Sequence, residues 1–283
     1  MPELPEVEIL VRHLAPSLEG RSIERVEVLR AKAIRPLDSL EFQVALLGAR
    51  VRRVTRRAKY LRFVMVHPVE GREWVLLGHL GMTGRMYLQH RRRMREKHVS
   101  VVFGLGDEDW VFEDPRQFGG FALGEERLSG LGPEPLEEGF TSEVLSEVLG
   151  RSRQSVKVRL MDQAAIAGLG NIYACESLNV AGIAPSREAS SLKPREVVRL
   201  HDAIRQVLGG AIRLGLSLPL DPTGDGIRDG LFYFGRASGA DDTVSERFRV
   251  YDREGKPCLR CATLIQRKWM GGRGTFFCPK CQR

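Results

Sequence analysis

Four of the five cysteines in this 283-residue chain fall within its last 26 residues, as Cys258-x2-Cys261, sixteen residues, then Cys278-x2-Cys281. Two such pairs on short knuckles suit a tetrahedral Zn2+ ion, whose four positions thiolates fill completely, leaving none for a reactive water. One structural Zn2+ held by Cys258, Cys261, Cys278 and Cys281 is therefore expected. The competing reading is a redox dithiol. Four thiolates around one divalent cation leave excess negative charge, which Lys256, Arg260 and Lys280 help to balance. Arg267, Lys268 and Arg273 lie on the span between the knuckles, an expected hairpin, and remain available to a partner. From Ser245 to Arg283 ten Lys and Arg face three Asp and Glu. Such an excess marks a polyanion-binding tail.

The length suits two or three modules rather than one core. No run of some twenty apolar residues predicts a membrane span, and the N-terminus lacks the basic-then-apolar pattern of a secretory signal. Cysteines gathered at one end do not form a disulfide framework spread over a fold. An intracellular protein is expected, in the cytoplasm or nucleoid if the source is bacterial. No internal repeat, low-complexity tract, phosphate-binding Walker motif or nucleophilic triad is present, so no nucleotide cofactor is expected.

The chain begins Met-Pro-Glu-Leu-Pro-Glu-Val-Glu. Initiator methionine is normally removed before a small residue such as proline, which would leave Pro2 with a free secondary amine. The reference pKa of a terminal amine is about 7.7–8.0, against about 10.4 for lysine, so part of it is the nucleophilic free base at neutral pH. Adjacent Glu3 is placed to handle protons. The alternative is a frayed terminus carrying nothing. Val7, Leu10, Val11, Leu14 and Leu18 recur at helical spacing and predict a helix that anchors this end.

Short runs of alternating or β-branched residues follow at 25–30, 50–57, 60–66, 73–80, 99–103 and 110–112, with a helix over 39–47. Residues 1–130 therefore read as a two-sheet β-domain with helices at its edge. Within it Arg50, Arg52, Arg53, Arg56, Arg57, Lys59 and Arg62 form a basic cluster with no carboxylate among them. Most of it reads as a solvated face. Lys59 sits between two strands, where its ammonium can enter a cleft, and the basic run 90–98 reads as a hairpin turn. Two glycine-bearing loops, His79-Leu-Gly-Met-Thr-Gly84 and Asp114-Pro-Arg-Gln-Phe-Gly-Gly120, carry bulky side chains at Met82, Arg116 and Phe118. Glycine lets a backbone approach a ligand closely, although Met82 and Phe118 read equally as core residues.

Residues 128–138 read as an interdomain linker. Helices are then expected over 141–149, 154–163, 171–181 and 195–214. Two glycines before Asn171 make either an anion site at a helix start or a simple N-cap. Cys175 reads as a buried filler. The Gly-, Asp-, Ser- and Pro-rich stretch 215–247 fits no regular element. The expected domains are 1–130, 131–244 with its long loop, and 245–283.

Taken in order, Pro-Glu-Leu-Pro-Glu-Val-Glu at 2–8, Lys59 before Tyr-Leu, His-Leu-Gly-Met-Thr-Gly, Asp-Pro-Arg-Gln-Phe-Gly, Leu-Gly-Pro-Glu-Pro-Leu, Gly-Leu-Gly-Asn-Ile-Tyr-Ala and the four cysteines resemble the formamidopyrimidine-DNA glycosylase (Fpg/MutM) family over nearly the whole chain. The resemblance implies an α+β multidomain fold, comprising an N-terminal β-sandwich, a helix-two-turn-helix domain and a four-cysteine zinc finger. It implies a monomeric glycosylase and abasic-site lyase acting on damaged double-stranded DNA. Pro2 would attack the sugar, Glu3 and Glu6 would move protons, and Lys59, Asn171 and Arg273 would grip phosphates. Met82, Arg116 and Phe118 would fill the gap left by an everted nucleotide, and Lys157 and Tyr173 fall in DNA-facing motifs. Gln117 departs from the family's usual Arg or Lys, and the segment from Gly215 to Cys258 is longer than usual by roughly a dozen residues and only weakly resembles the family's lesion-capping loop. Oxidised purines, 8-oxoguanine and formamidopyrimidines, are the default substrates, with oxidised pyrimidines or spiro-type lesions as alternatives within the same chemistry. Outside enzymes, a non-catalytic lesion sensor and a zinc-finger transcription factor are the competing readings.

Overall fold

The computed structural model describes residues 2–67, 69–217, 220–221, 227–228, 235–236 and 248–283. It divides into two compact units, Met1–Ser129 with Leu214–Ala240, and Gly130–Arg213 with Asp241–Arg283.

The first unit begins with helix α1, Leu4–Leu18, started by a capping box between Glu3 and Glu6 with proline in the first turn. Val7, Leu10, Val11, Leu14 and Leu18, spaced to share one helical face, are all buried. That face packs against strand β2. One sheet holds β1 (Arg25–Val28), β6 (Val99–Leu105), β7 (Glu108–Glu113) and β5 (Arg85–His90) in that order. The other holds β2 (Arg50–Arg57), β3 (Tyr60–Val66), β4 (Glu73–His79) and β8 (Gly120–Leu123). Every neighbouring pair is antiparallel. Both sheets and helix α2, Ser39–Leu46, contribute to one core. Trp110 lies at its middle, 4.6 Å from the Phe63 ring and 4.3 Å from Phe103. Such aromatic pairs add about 0.5–1.5 kcal/mol beyond area burial.

Residues 91–98 correct one expectation. They are not a hairpin turn, because β5 and β6 lie on opposite sides of β7 and run in the same direction. The segment crosses between them, held by the Arg95–Glu27 ion pair and by Arg30 donating to the Lys97 carbonyl at 2.9 Å. Strands β5 and β8 escape the sequence reading because Arg85-Met-Tyr-Leu-Gln-His90 and Gly120-Phe-Ala-Leu123 show no polar–apolar alternation. In the arginine-rich strand Arg50, Arg52 and Arg53 are exposed, as a solvated face would be, whereas the Arg56 side chain is buried against Glu8; Arg62, on β3, pairs with Glu125.

In the second unit are helices α3 (Ser142–Gly150), α4 (Val156–Met161), α5 (Asn171–Ala181) and α6 (Pro194–Ser217). Helix α4 is shorter than expected. Asp162 ends it, its carboxylate accepting the Ala164 N–H at 3.0 Å in a local turn. Helix α5 ends at Gly182 with φ 70, the left-handed cap that glycine adopts most easily. Residues 131–136 are not a free linker. Gly132 donates to the Gln163 carbonyl, and a Cβ there would stand 2.7 Å from the Ala164 oxygen.

Strands β9 (Leu220–Asp221), β10 (Ile227–Arg228) and β11 (Gly235–Arg236) form a small antiparallel sheet. The rest of the expected capping loop, 218–247, lies outside the described residues. The C-terminal hairpin comprises β12 (Gln266–Met270) and β13 (Arg273–Phe277), joined by Gly271 and Gly272, both at positive φ as a two-residue hairpin turn demands. No helix among the described residues is long and apolar enough to cross a membrane.

Candidate active site and nucleic-acid interface

Strand register gathers the first unit's candidate residues at one end of one sheet. Arg57 pairs with Tyr60 across a two-residue turn, Tyr60 with His79, and His79 with Gly120. Lys59 therefore tips the β2–β3 hairpin beside the roots of both glycine loops. Ala58 at φ 51 supplies the left-handed residue that a tight hairpin needs. Glu8, on the first turns of α1, pairs with Arg56 at 2.9 Å. This contact brings the start of α1, and with it Pro2, Glu3 and Glu6, to the same end of the sheet. Pro2 is buried, as are Glu3 (1% exposed) and Glu6 (4%). The Glu3 N–H donates to Glu6 Oε2 at 3.0 Å.

The two glycine loops touch backbone to backbone. A Cβ on Gly81 would stand 2.5 Å from the Gly119 nitrogen, and one on Gly119 2.5 Å from the His79 oxygen, so neither position accepts a side chain without displacing main chain. Phe118 is 54% exposed, which removes it from the core reading. The Arg116 guanidinium lies 4.9 Å from its ring centroid and the Lys32 ammonium 5.6 Å, both at cation–π distance. Met82 is half-buried. Beside Phe118 a cavity of about 550 Å3 is lined by Lys32, Arg35, Arg127, His79 and Gln117 among others, with no carboxylate in its lining. Burial first, then the Lys59 and Arg127 charges, hold the His79 imidazole down to about 4. Its neutral Nδ1 accepts the Gly81 N–H at 3.0 Å.

The second unit gathers its own candidates around the hairpin. Gly170, not Asn171, caps α5. Asn171 instead donates through Nδ2 to the Gly274 carbonyl at 2.9 Å, while its Oδ1 is buried with no hydrogen-bond partner. Arg273 is exposed at the start of β13. Lys157 and Tyr173, expected to face DNA, are 0% and 1% exposed. Lys157 lies 3.4 Å from the Met270 carbonyl at the hairpin turn, so in this conformation its ammonium serves the turn. Val158, one residue on, is 3.0 Å from where a Gly271 Cβ would stand.

The four sulfurs lie within 4.8 Å of one another. Tetrahedral zinc with Zn–S bonds of about 2.3 Å needs sulfur–sulfur edges of about 3.8 Å. Cys258–Cys281 at 4.0 Å and Cys261–Cys278 at 3.5 Å bracket that value, so the donor set fits. Cys175 packs in the same small core as Cys258 and Cys278, without belonging to the four-sulfur set.

Several further residues carry structure that their sequence context does not announce. The Glu176 carboxylate accepts the backbone N–H groups of Arg249, Val250 and Tyr251, each at 2.9 Å, and so fixes the approach to the finger. Burial raises its pKa against those three bonds. Gln282 accepts from Asn179 and Cys278 and donates to Ile183. Asp114 and His79 organise the loops on which the expected residues ride. An acid opening a glycine-bearing loop, Asp114-Pro-Arg-Gln-Phe-Gly-Gly120, is the sequence signal that could have found Asp114.

Three family models match in chain order: the formamidopyrimidine-DNA glycosylase N-terminal domain over residues 1–121, the H2TH domain of the same glycosylase over 131–218, and a zinc finger found in FPG and IleRS over 255–283. The formamidopyrimidine-DNA glycosylase of Symbiobacterium thermophilum is 42% identical, aligned over the whole of this chain and 89% of that protein. The chain belongs to the formamidopyrimidine-DNA glycosylase family. That of Carboxydothermus hydrogenoformans is 38% identical over all of both chains. Among solved structures, the Lactococcus lactis family member bound non-covalently to DNA with an abasic site superposes with a TM-score of 0.84 at 31% identity, covering 99% of both chains. A G226P variant of the same enzyme with Fapy-dG-containing DNA gives 0.85 at 32%, covering all of both. The two sheets, the H2TH helices and the four-cysteine finger are the architecture of this family.

Proposed function

We propose that this family member excises oxidised purines, 8-oxoguanine and formamidopyrimidines, from duplex DNA through a Schiff base on Pro2 and then cuts the strand by β,δ-elimination. The observation that carries the reading is the buried Glu3–Glu6 box on a helix anchored beside Lys59. Removal of Met1 frees the secondary amine of Pro2, which adds to C1′ of the damaged nucleotide. The C1′–N bond breaks and its electron pair leaves with the base, which takes up a proton. The sugar ring opens to an iminium, with Glu3 delivering a proton to the ring oxygen. The iminium acidifies the neighbouring C2′–H. Loss of that proton expels the 3′ phosphate, and a second elimination expels the 5′ phosphate.

Chemistry on a stacked base requires its eversion, at a cost of a few kcal/mol. Met82, Arg116 and Phe118 fill the gap. Lys59, Asn171 and Arg273 hold phosphates, contacts that position the duplex without reading its sequence. Lys157 and Tyr173 act from beneath the DNA-facing surface. Cys258, Cys261, Cys278 and Cys281 would hold one Zn2+, which supplies folding energy to the finger and no reaction step. The choice of lesion is assigned to 215–247. The protein acts as a monomer inside the cell.

Borohydride trapping on an oligonucleotide with an abasic site tests the chemistry. Processed protein should form a covalent adduct, and protein retaining Met1 should bind the DNA and form none. An untrapped processed protein that still binds lesions would instead be a sensor. Preference for a fixed undamaged sequence in competition binding would favour a transcription factor.

A further inference from the structure

Asp114 is fully buried, and among the described residues the hydrogen bonds to its carboxylate come from neutral donors. Oδ1 accepts the Thr83 hydroxyl at 2.6 Å and the Arg116 N–H at 3.1 Å. Oδ2 accepts the N–H groups of Phe118 and Gly119, both at 2.8 Å. One carboxylate thus binds one donor from the first glycine loop and three from the second. All four partners are donors, and a carboxylate offers acceptor lone pairs on both oxygens. An asparagine there would turn its NH2 against the Arg116 N–H in one orientation or the Phe118 and Gly119 N–H groups in the other, leaving buried donors opposed.

We propose that Asp114 is the positioning residue that makes the two loops a single preset wedge. Thr83 is the neighbour of Met82, and the three amides belong to the turn that carries Arg116 and Phe118. The carboxylate therefore fixes the spacing between the side chain entering from one loop and the pair entering from the other. Gly81 and Gly119 allow the backbones to meet, and Asp114 holds them there. A wedge ordered beforehand loses no conformational freedom on entering the duplex. The inference rests on the reading that Met82, Arg116 and Phe118 replace an everted nucleotide.

The test uses full-length processed protein carrying Asp114→Asn or Thr83→Val. Its first readout is 2-aminopurine placed opposite an abasic site in a duplex, whose fluorescence rises when the wedge unstacks it. This readout needs no chemistry at Pro2, so protein retaining Met1 should give it too. The second is the ratio of borohydride trapping on duplex to trapping on a single-stranded abasic oligonucleotide. Asp114→Asn should slow the fluorescence rise at least tenfold and lower the trapping ratio by a similar factor. Thr83→Val, which removes one bond and keeps the shape, should lower both two- to fivefold and carries the test if Asp114→Asn does not fold. An unchanged fluorescence rise, or trapping that falls equally on both substrates, would overturn the proposal. Absence of trapping by the unmutated protein alongside a normal fluorescence rise would instead sink the Pro2 chemistry and leave the wedge standing.

Discussion

The backbone N–H of Glu3 donates to Glu6 Oε2 at 3.0 Å, closing a capping box at the very residues expected to move protons. The same carboxylate therefore orders the helix start and stands beside Pro2. Glu6→Ala should cost about 1 kcal/mol of stability through the lost cap and slow trapping. Glu6→Gln keeps an acceptor oxygen and should retain most of the stability while still slowing the chemistry. Urea midpoints and single-turnover trapping separate the two effects. Equal stability of the two variants would show that the box does not hold the terminus.

His79 gives the first unit a pH dependence of defined direction. Its pKa is about 4 in the fold against an ordinary 6.5, because burial and then Lys59 and Arg127 disfavour its cation. As pH falls below about 6.5 the unfolded chain takes up a proton that the folded chain refuses until about pH 4. The contribution is thus complete above the upper value, declines through the window and is gone below the lower one, a loss of about 3 kcal/mol. His79→Asn offers an oxygen in place of Nδ1 for the Gly81 N–H and does not titrate. It should flatten stability between pH 4 and 6.5. Parallel urea-midpoint curves for both proteins across that range would remove His79 as the cause.

What the sequence made legible follows from where the physics is local. The buried stripe of α1, the β2–β3 hairpin around Lys59 and the glycine stop of α5 each depend on residues close in the chain, and each lies where its pattern put it. The two cysteine pairs were equally legible, since a metal set needs only spacing. Non-local geometry was not. That residues 91–98 cross over β7 depends on which strand β5 pairs with, and Arg85-Met-Tyr-Leu carries no mark of its partner. Lys157 falls in a motif expected to face DNA, yet it is fully buried with its ammonium near the Met270 carbonyl of the hairpin turn. Asp114 carried no role in the sequence beyond opening its loop, because its four donors come from two loops some thirty residues apart in the chain.

Zinc removal should act on the second unit, to which the finger belongs, and spare the first. The hairpin has five paired positions and a small core shared with the cysteines, too little to stand without the metal. A chelator should abolish the fluorescence signature of Trp269, which lies 5.1 Å from the Arg267 guanidinium, and weaken DNA binding. The thermal transition of the first unit, with its own core around Trp110, should remain in place. Metal analysis of active protein should give about one equivalent of zinc. Chelation that melts both units together would show that the metal's contribution is not confined to the second unit.

Arg273 and Asn171 make a matched pair for testing the proposed phosphate grip, since both meet the hairpin and only one is charged. Arg273 is exposed and opens β13, while Asn171 spends its amide nitrogen on the Gly274 carbonyl and keeps a buried oxygen unpaired. Each cation that neutralises a phosphate releases counterions, which steepens the fall of log affinity with log salt by about 0.9. Arg273→Gln should therefore weaken binding to damaged and undamaged duplexes alike and make that slope shallower by about 0.9. Asn171→Ala should weaken binding with the slope unchanged, because it disturbs the hairpin without removing a charge. Fluorescence anisotropy titrations across a salt series measure both. An unchanged slope for Arg273→Gln would place its guanidinium off the phosphate backbone, and a changed slope for Asn171→Ala would mean that the hairpin carries the cationic contacts with it when it shifts.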